Sequence, residues 1–99
     1  MYVHVTRGRF AREHLAAARE LGQQQLLPFL RTQAGCQGAW WLESDDDPGL
    51  ALLVVHCDSE ATWRRVIVND TLHVIEQQFG PYLTDTPGAA GLWLGSDSN

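Results

Sequence analysis

Trp40 and Trp41 stand side by side in a β-prone run, and the following stretch, LALLVV at 50–55, is apolar at every position. Strand side chains alternate between the two faces of a sheet, so one indole leaves each face. The apolar side chains of 50–55 divide in the same way. An antiparallel sheet with one wet face would alternate apolar and polar residues. These strands do not, so both faces of their sheet need a cover. A chain of 99 residues fits a single domain, and its own helices can cover only one of them.

The remaining elements follow from local chemistry. YVHVTR at 2–7 reads as a first strand, with Gly8 as its breaker. From about Arg12 to Thr32 the period becomes helical, placing Leu15, Ala18, Gly22, Leu26, Phe29 and Leu30 roughly on one face. Pro28 removes a backbone donor, so a kink or break is expected near it. Gly35 stands where a helix C-cap belongs. Strand two covers about 37–44, DDDPG at 45–49 is turn chemistry, and strand three covers 50–57. Asp58 or Ser59 caps a helix on which Trp63, Val66 and Ile67 share a face. Asn69-Asp70 caps another, lined by Leu72, Ile75 and Phe79. Gly80-Pro81 ends it, AAGLWLG at 89–95 reads as a last strand, and SDSN at 96–99 as a frayed tail.

The order β-α-β-β-α(α)-β is the ferredoxin-like order of an α+β domain over 1–95, with helices on one face of a four-stranded antiparallel sheet. A buried Trp removes ~150–250 Å² from water, worth about 4–6 kcal/mol at ~25 cal/mol per Å². That is a large part of a small domain's ~5–15 kcal/mol. A second copy supplying its own sheet is the simplest cover, so a homodimer is expected.

Composition excludes several classes. A net charge of −5 disfavours nucleic acid and anionic membranes, which require clustered cations. No apolar run approaches the ~20 residues of a membrane span, and MYVHVTRGRF carries no signal-peptide core. Cys36 and Cys57 form neither a CxxC pair nor a disulfide framework. Reduced thiols in a cytoplasmic protein are the expectation.

Two short motifs carry a resemblance. Ala34-Gly35-Cys36-Gln37-Gly38-Ala39 is similar to the PGFxGA motif, and His56-Cys57-Asp58-Ser59-Glu60-Ala61 to the WxSxEA motif, of the antibiotic-biosynthesis-monooxygenase-like (ABM) domains of the dimeric α/β-barrel superfamily. Cys36 replaces the usual aromatic and His56 stands near the usual Trp. The resemblance implies two sheets packed into a dimeric barrel, with a pocket in each subunit between helices and sheet. It also implies either oxygenation of flat aromatic substrates without metal or flavin, or haem binding and degradation. Haem-degrading members use a Trp and a His spaced about as Trp63 and His73, with an Asn on the first strand. Here the Asn residues are 69 and 99, and the first strand has none.

Four sets of residues are candidates for a site. His73 flanks the apolar stripe of the last helix, about 100° from Leu72. From there its imidazole either enters a pocket mouth as proton shuttle or axial ligand, or bonds water or backbone at the boundary. Trp63 either walls a pocket or fills an ordinary core face. His4 and His56 lie on strands that are neighbours in this order; if their faces coincide they form an acid/base pair. A metal would need a third ligand, and none stands at metal-ligand spacing. Trp40 or Trp41, with Trp93, would supply further walls for a flat ligand. Arg64-Arg65 would hold an acidic group or form a solvated face. The triple Asp at 45–47 lacks the alternating ligands of a calcium loop. There is no GxGxxG, P-loop, GxSxG or HExxH.

The expected function is a small oxygenase-like enzyme, without cofactor, acting on a flat apolar or phenolic substrate. His73, His56 and His4 are its candidate bases. The alternatives are a non-catalytic dimer holding a small apolar ligand or haem, and a purely structural dimeric domain.

Overall fold

The computed structural model describes residues 1–84 and 94–96. The fold is α+β. Strands β1 (Tyr2–Arg9), β2 (Cys36–Glu43) and β3 (Leu50–Cys57) form the body of an antiparallel sheet. The short strand β4 (Leu94–Ser96) pairs with the outer edge of β1, giving the order β2-β3-β1-β4. Ser96, expected in the frayed tail, lies in this strand opposite Val5. Residues 97–99 and 85–93, including most of the expected last strand, lie outside the described residues.

Between β1 and β2 run a 3-10 turn (Arg12–His14), α1 (Leu15–Leu21), a π-helical segment (Gly22–Leu26) and α2 (Leu27–Arg31). The irregularity expected near Pro28 takes the form of that π segment. A proline ring clashes with the carbonyl four residues back, and the wider π turn just before Pro28 accommodates it without breaking the rod. Gly22 lies at the start of this segment because the helix there passes against Trp41. A Cβ on Gly22 would sit 2.6 Å from Trp41 Cε3. Gly35 ends the helical region with φ 88°. There the chain is pressed against Thr62 and Asp58, and its carbonyl accepts from Asp58 N at 2.9 Å.

After β3 come α3 (Glu60–Ile67) and α4 (Asp70–Gln77). Ser59 Oγ accepts from Thr62 N at 3.2 Å, and Asn69 Oδ1 accepts from Thr71 N at 2.8 Å, so both expected caps form. On α4 the buried residues are Leu72 and Ile75, with Phe79 just beyond its end. On α3 the inward face is Thr62, Trp63 and Val66, while Ile67 is 38% exposed. Ile67 is the last residue of α3. The expectation for Ile67 is corrected accordingly. So is that for Gly8, which does not break β1. It pairs with Ala51, and the strand continues to Arg9 opposite Leu50.

Register assigns the faces. Ala51, Leu53, Val55 and Cys57 of β3 are buried on the helix side. Directly opposed residues share a face, so Tyr2, His4 and Thr6 of β1 join them, as do Ala39, Trp41 and Glu43 of β2. The other face carries Val3, Val5, Gly38, Trp40, Leu42, Leu50, Leu52, Val54 and His56. Trp40 and Leu42 on it are 46% and 48% exposed.

On the helix side Trp41 is stacked on Phe79, with ring centroids 5.8 Å apart, and lies 5.8 Å from Phe10. Its indole N–H donates to Glu43 Oε2 at 2.8 Å, and Glu43 is gripped in turn by Arg19 of α1 at 2.6 and 2.8 Å. The Arg19 hydrogen bonds hold the Glu43 carboxyl below the ordinary glutamate value of 4.5 against the opposing effect of burial, with the Trp41 bond assisting. A depressed carboxylate stabilises the fold fully above the unfolded pKa, and the contribution is lost as pH falls through the folded one. Glu43→Gln is therefore expected to lower stability at neutral pH and to flatten its decline below about pH 4.5. Denaturation curves followed by tryptophan fluorescence across that range check it. At the hairpin, Arg9 forms a two-pronged bond to Asp47 at 2.8 and 2.7 Å, so the acidic run closes a turn.

Candidate functional site

His4 and Trp63 are the two candidates that the fold brings into contact. His4 projects from the middle of the sheet, opposite Val55, toward the helices. Trp63 comes down from the first turn of α3, its N–H bonded to Ser59 O at 3.3 Å. The imidazole and indole stack with centroids 4.5 Å apart and planes 24° apart. Trp63 is buried, and His4 Nδ1 is shielded from solvent. The start of α3 is fixed on several sides. Thr62 Oγ1 donates to Asp58 in a short hydrogen bond, Ser59 Oγ lies 3.2 Å from Thr62 Oγ1, and Arg65 reaches back to donate to Ala34 O at 2.6 Å. The Thr62 bond, followed by that from Ser59, holds the Asp58 carboxyl below its ordinary range. The helix start thus sets one indole face to face with one imidazole, a proton acceptor, in the layer between sheet and helices.

His4 and His56 do not form a pair. The register sets His56 opposite Val3 and His4 opposite Val55, so the two imidazoles leave opposite faces. A shift of one residue in register exchanges every side chain between faces, and a strand apolar at both parities does not reveal which register holds. His56 Nε2 is out of solvent and makes no hydrogen bond among the described residues. His73 is exposed on α4, and its Nε2 donates to Ile67 O at 2.7 Å, capping the end of α3. The imidazole therefore serves the backbone at a boundary and does not enter a pocket.

The tryptophans separate in the same way. Trp41 is partly buried and packs against the core at Phe10 and Phe79, and Trp40 lies on the opposite face with its ring over Gly38, 2.5 Å from where a Cβ would stand. Trp93 lies outside the described residues. Arg64 pairs with Glu60 at 2.6 Å while Arg65 bonds Ala34, so the two guanidinium groups do not converge. These placements do not fit a haem. The His73 Nε2 that would meet an iron is engaged by the Ile67 carbonyl at 2.7 Å. Among the described residues no three His, Cys, Asp or Glu side chains converge as metal ligands, and no helix is long and apolar enough to cross a membrane.

Sequence inspection passes over two further features. Glu76 is part-buried on α4, and burial pushes its carboxyl above the ordinary range against the pull of His73. Its helical angle, about 40° from Leu72, was the available signal. An open groove of about 230 Å³ lies between α1, the π segment and Tyr82, lined by Glu20, Gln24, Gln25 and Gln78 among others. None of the candidate residues lines it.

No protein-family model and no curated protein matches the chain. Solved structures do. A protein of Deinococcus radiodurans described as a candidate antibiotic biosynthesis monooxygenase superposes with a TM-score of 0.78 at 20% identity, over 86% of this chain and 84% of that one. One from Nitrosomonas europaea with the same description gives 0.76 at 14% identity, over 87% and 90%. A Mycobacterium tuberculosis protein gives 0.73 at 20%, over 86% and 85%. This is the fold of an ABM-like domain. In this fold the His4–Trp63 contact lies between sheet and helices.

Proposed function

We propose that this ABM-like domain is a cofactor-independent oxygenase-like enzyme for a flat, apolar or phenolic substrate, and that it works as a homodimer. The observation that carries the reading is the His4–Trp63 stack: an imidazole held against an indole, in a fold shared with proteins described as monooxygenases. In this reading Trp63 moves aside or slides to accept the substrate ring by stacking, and His4 removes a proton from an acidic C–H or O–H of the substrate. The carbanion gives an electron to dioxygen, recombination gives a hydroperoxide, and loss of water leaves a carbonyl. A methylene plus dioxygen becomes a ketone plus water, with the substrate as the only reductant. The chain's own tasks are to bind, to exclude water and to accept one proton.

The dimer reading rests on the outer sheet face. Trp40 and Leu42 are nearly half exposed there beside Val54 and Leu52. Two such sheets face to face would form the barrel.

Oxygen uptake with anthrone, a flat ring system with an acidic methylene, tests the chemistry. Turnover above the protein-free rate is expected, with His4→Gln lowering kcat/KM by about 10²–10⁴. Trp63→Phe is expected to raise KM while leaving proton removal intact. No uptake by the wild-type protein, or full activity in His4→Gln, would end the proposal.

A further inference from the structure

Cys36 and Cys57 are 21 residues apart in sequence, yet the β2–β3 register sets them directly opposite each other. Their sulfur atoms are 3.5 Å apart, within S–H···S contact and not bonded to each other. Directly opposed residues of an antiparallel pair have Cα atoms ~4.5–5.5 Å apart, inside the ~4.4–6.8 Å that a disulfide spans. Closing the sulfurs to about 2.05 Å needs side-chain rotation without strand movement. The two thiols also differ in access. Cys57 has no exposed surface, and burial, reinforced by Cys36, pushes its thiol up to about 12. Cys36 is partly exposed at the bulged end of β2.

We propose that Cys36 and Cys57 are a redox modification site, closing to an intramolecular disulfide by exchange with a low-molecular-weight disulfide that enters at Cys36. The Cys36 thiolate attacks one sulfur of the external disulfide, forming a mixed disulfide and releasing one small thiolate. Cys57 then attacks the Cys36 sulfur, its proton passing to the departing sulfur, which leaves as the second small thiol. Two protein thiols are oxidised and one external disulfide is reduced to two thiols. The bond ties the start of β2 to the end of β3, where Asp58 and Ser59 begin α3 and so position Trp63 over His4. This inference is independent of the oxygenase chemistry.

The test is incubation of the whole chain with oxidised glutathione, then acid quenching and peptide mapping. The expected product is a 36–57 cross-link lacking two hydrogens, reversed by dithiothreitol, with Tm raised by on the order of 10 °C. Cys57→Ala is expected to stop at the glutathione adduct of Cys36. Cys36→Ser is expected to leave Cys57 unmodified in the folded protein. A wild-type chain that accumulates the Cys36 adduct, forms only intermolecular disulfides or does not react overturns the proposal. An oxidised form melting below the reduced one overturns closure without strand movement.

Discussion

Trp40→Lys is expected to leave a folded monomer at micromolar concentration, where the wild-type chain is expected to sediment as a dimer. Trp40 is 46% exposed and lies outside the buried core, on the face opposite the helices. Removing it leaves the Trp41, Phe10 and Phe79 cluster untouched. In a two-fold dimer each change occurs twice. Loss of the remaining burial of one indole is worth about 2–3 kcal/mol, so two copies weaken association by about 4–6 kcal/mol, or 10³–10⁴-fold in Kd. An ammonium facing an apolar surface adds desolvation in the same direction. Sedimentation equilibrium reads the mass, and far-ultraviolet circular dichroism confirms the fold. A wild-type monomer, or a variant that stays dimeric, removes the barrel from the proposed function.

The sequence made the sheet legible where local chemistry is unambiguous. The 50–57 strand, the Pro48-Gly49 turn and the Ser59 and Asn69 caps all fall where residue type alone places them. Which indole faces the helices was not legible, for a specific reason. Cys36 pairs with Cys57 but Gly38 pairs with His56, so Gln37 is an extra residue in β2. Counting alternately from Cys36 without that bulge would set Trp40 opposite Leu53 and turn it inward. With it, Trp41 takes that place. The bulge depends on pairing between strands and leaves no mark within six residues of sequence. The same limit separated His4 from His56, because LALLVV is apolar at both parities and offers no face to align. It also hid the dithiol, whose members are adjacent only across the sheet. His4 with Trp63 was present as two separate candidates, and only the register of β1 shows that they meet.

Trp41→Ala should be the most destabilising change in the strand pair, and it is best measured in the Trp40→Lys background so that association makes no contribution. The indole touches Phe79 and Phe10, fills the space against Gly22, and donates to Glu43, which Arg19 holds. Truncating a large core aromatic costs about 3–5 kcal/mol, against a total of ~5–15 kcal/mol for a domain of this size. At ~4–8 °C per kcal/mol, Tm should fall by roughly 20 °C. Trp41→Phe retains a ring between Phe10 and Phe79 but loses the N–H donor to Glu43. Its cost should be nearer ~1–2 kcal/mol. The ratio between the two variants separates packing from the hydrogen bond. Equal losses would mean that the Glu43 bond carries the site. If neither variant lowered the denaturation midpoint, Trp41 would not be under the helices, and the bulge at Gln37 would be misplaced with it.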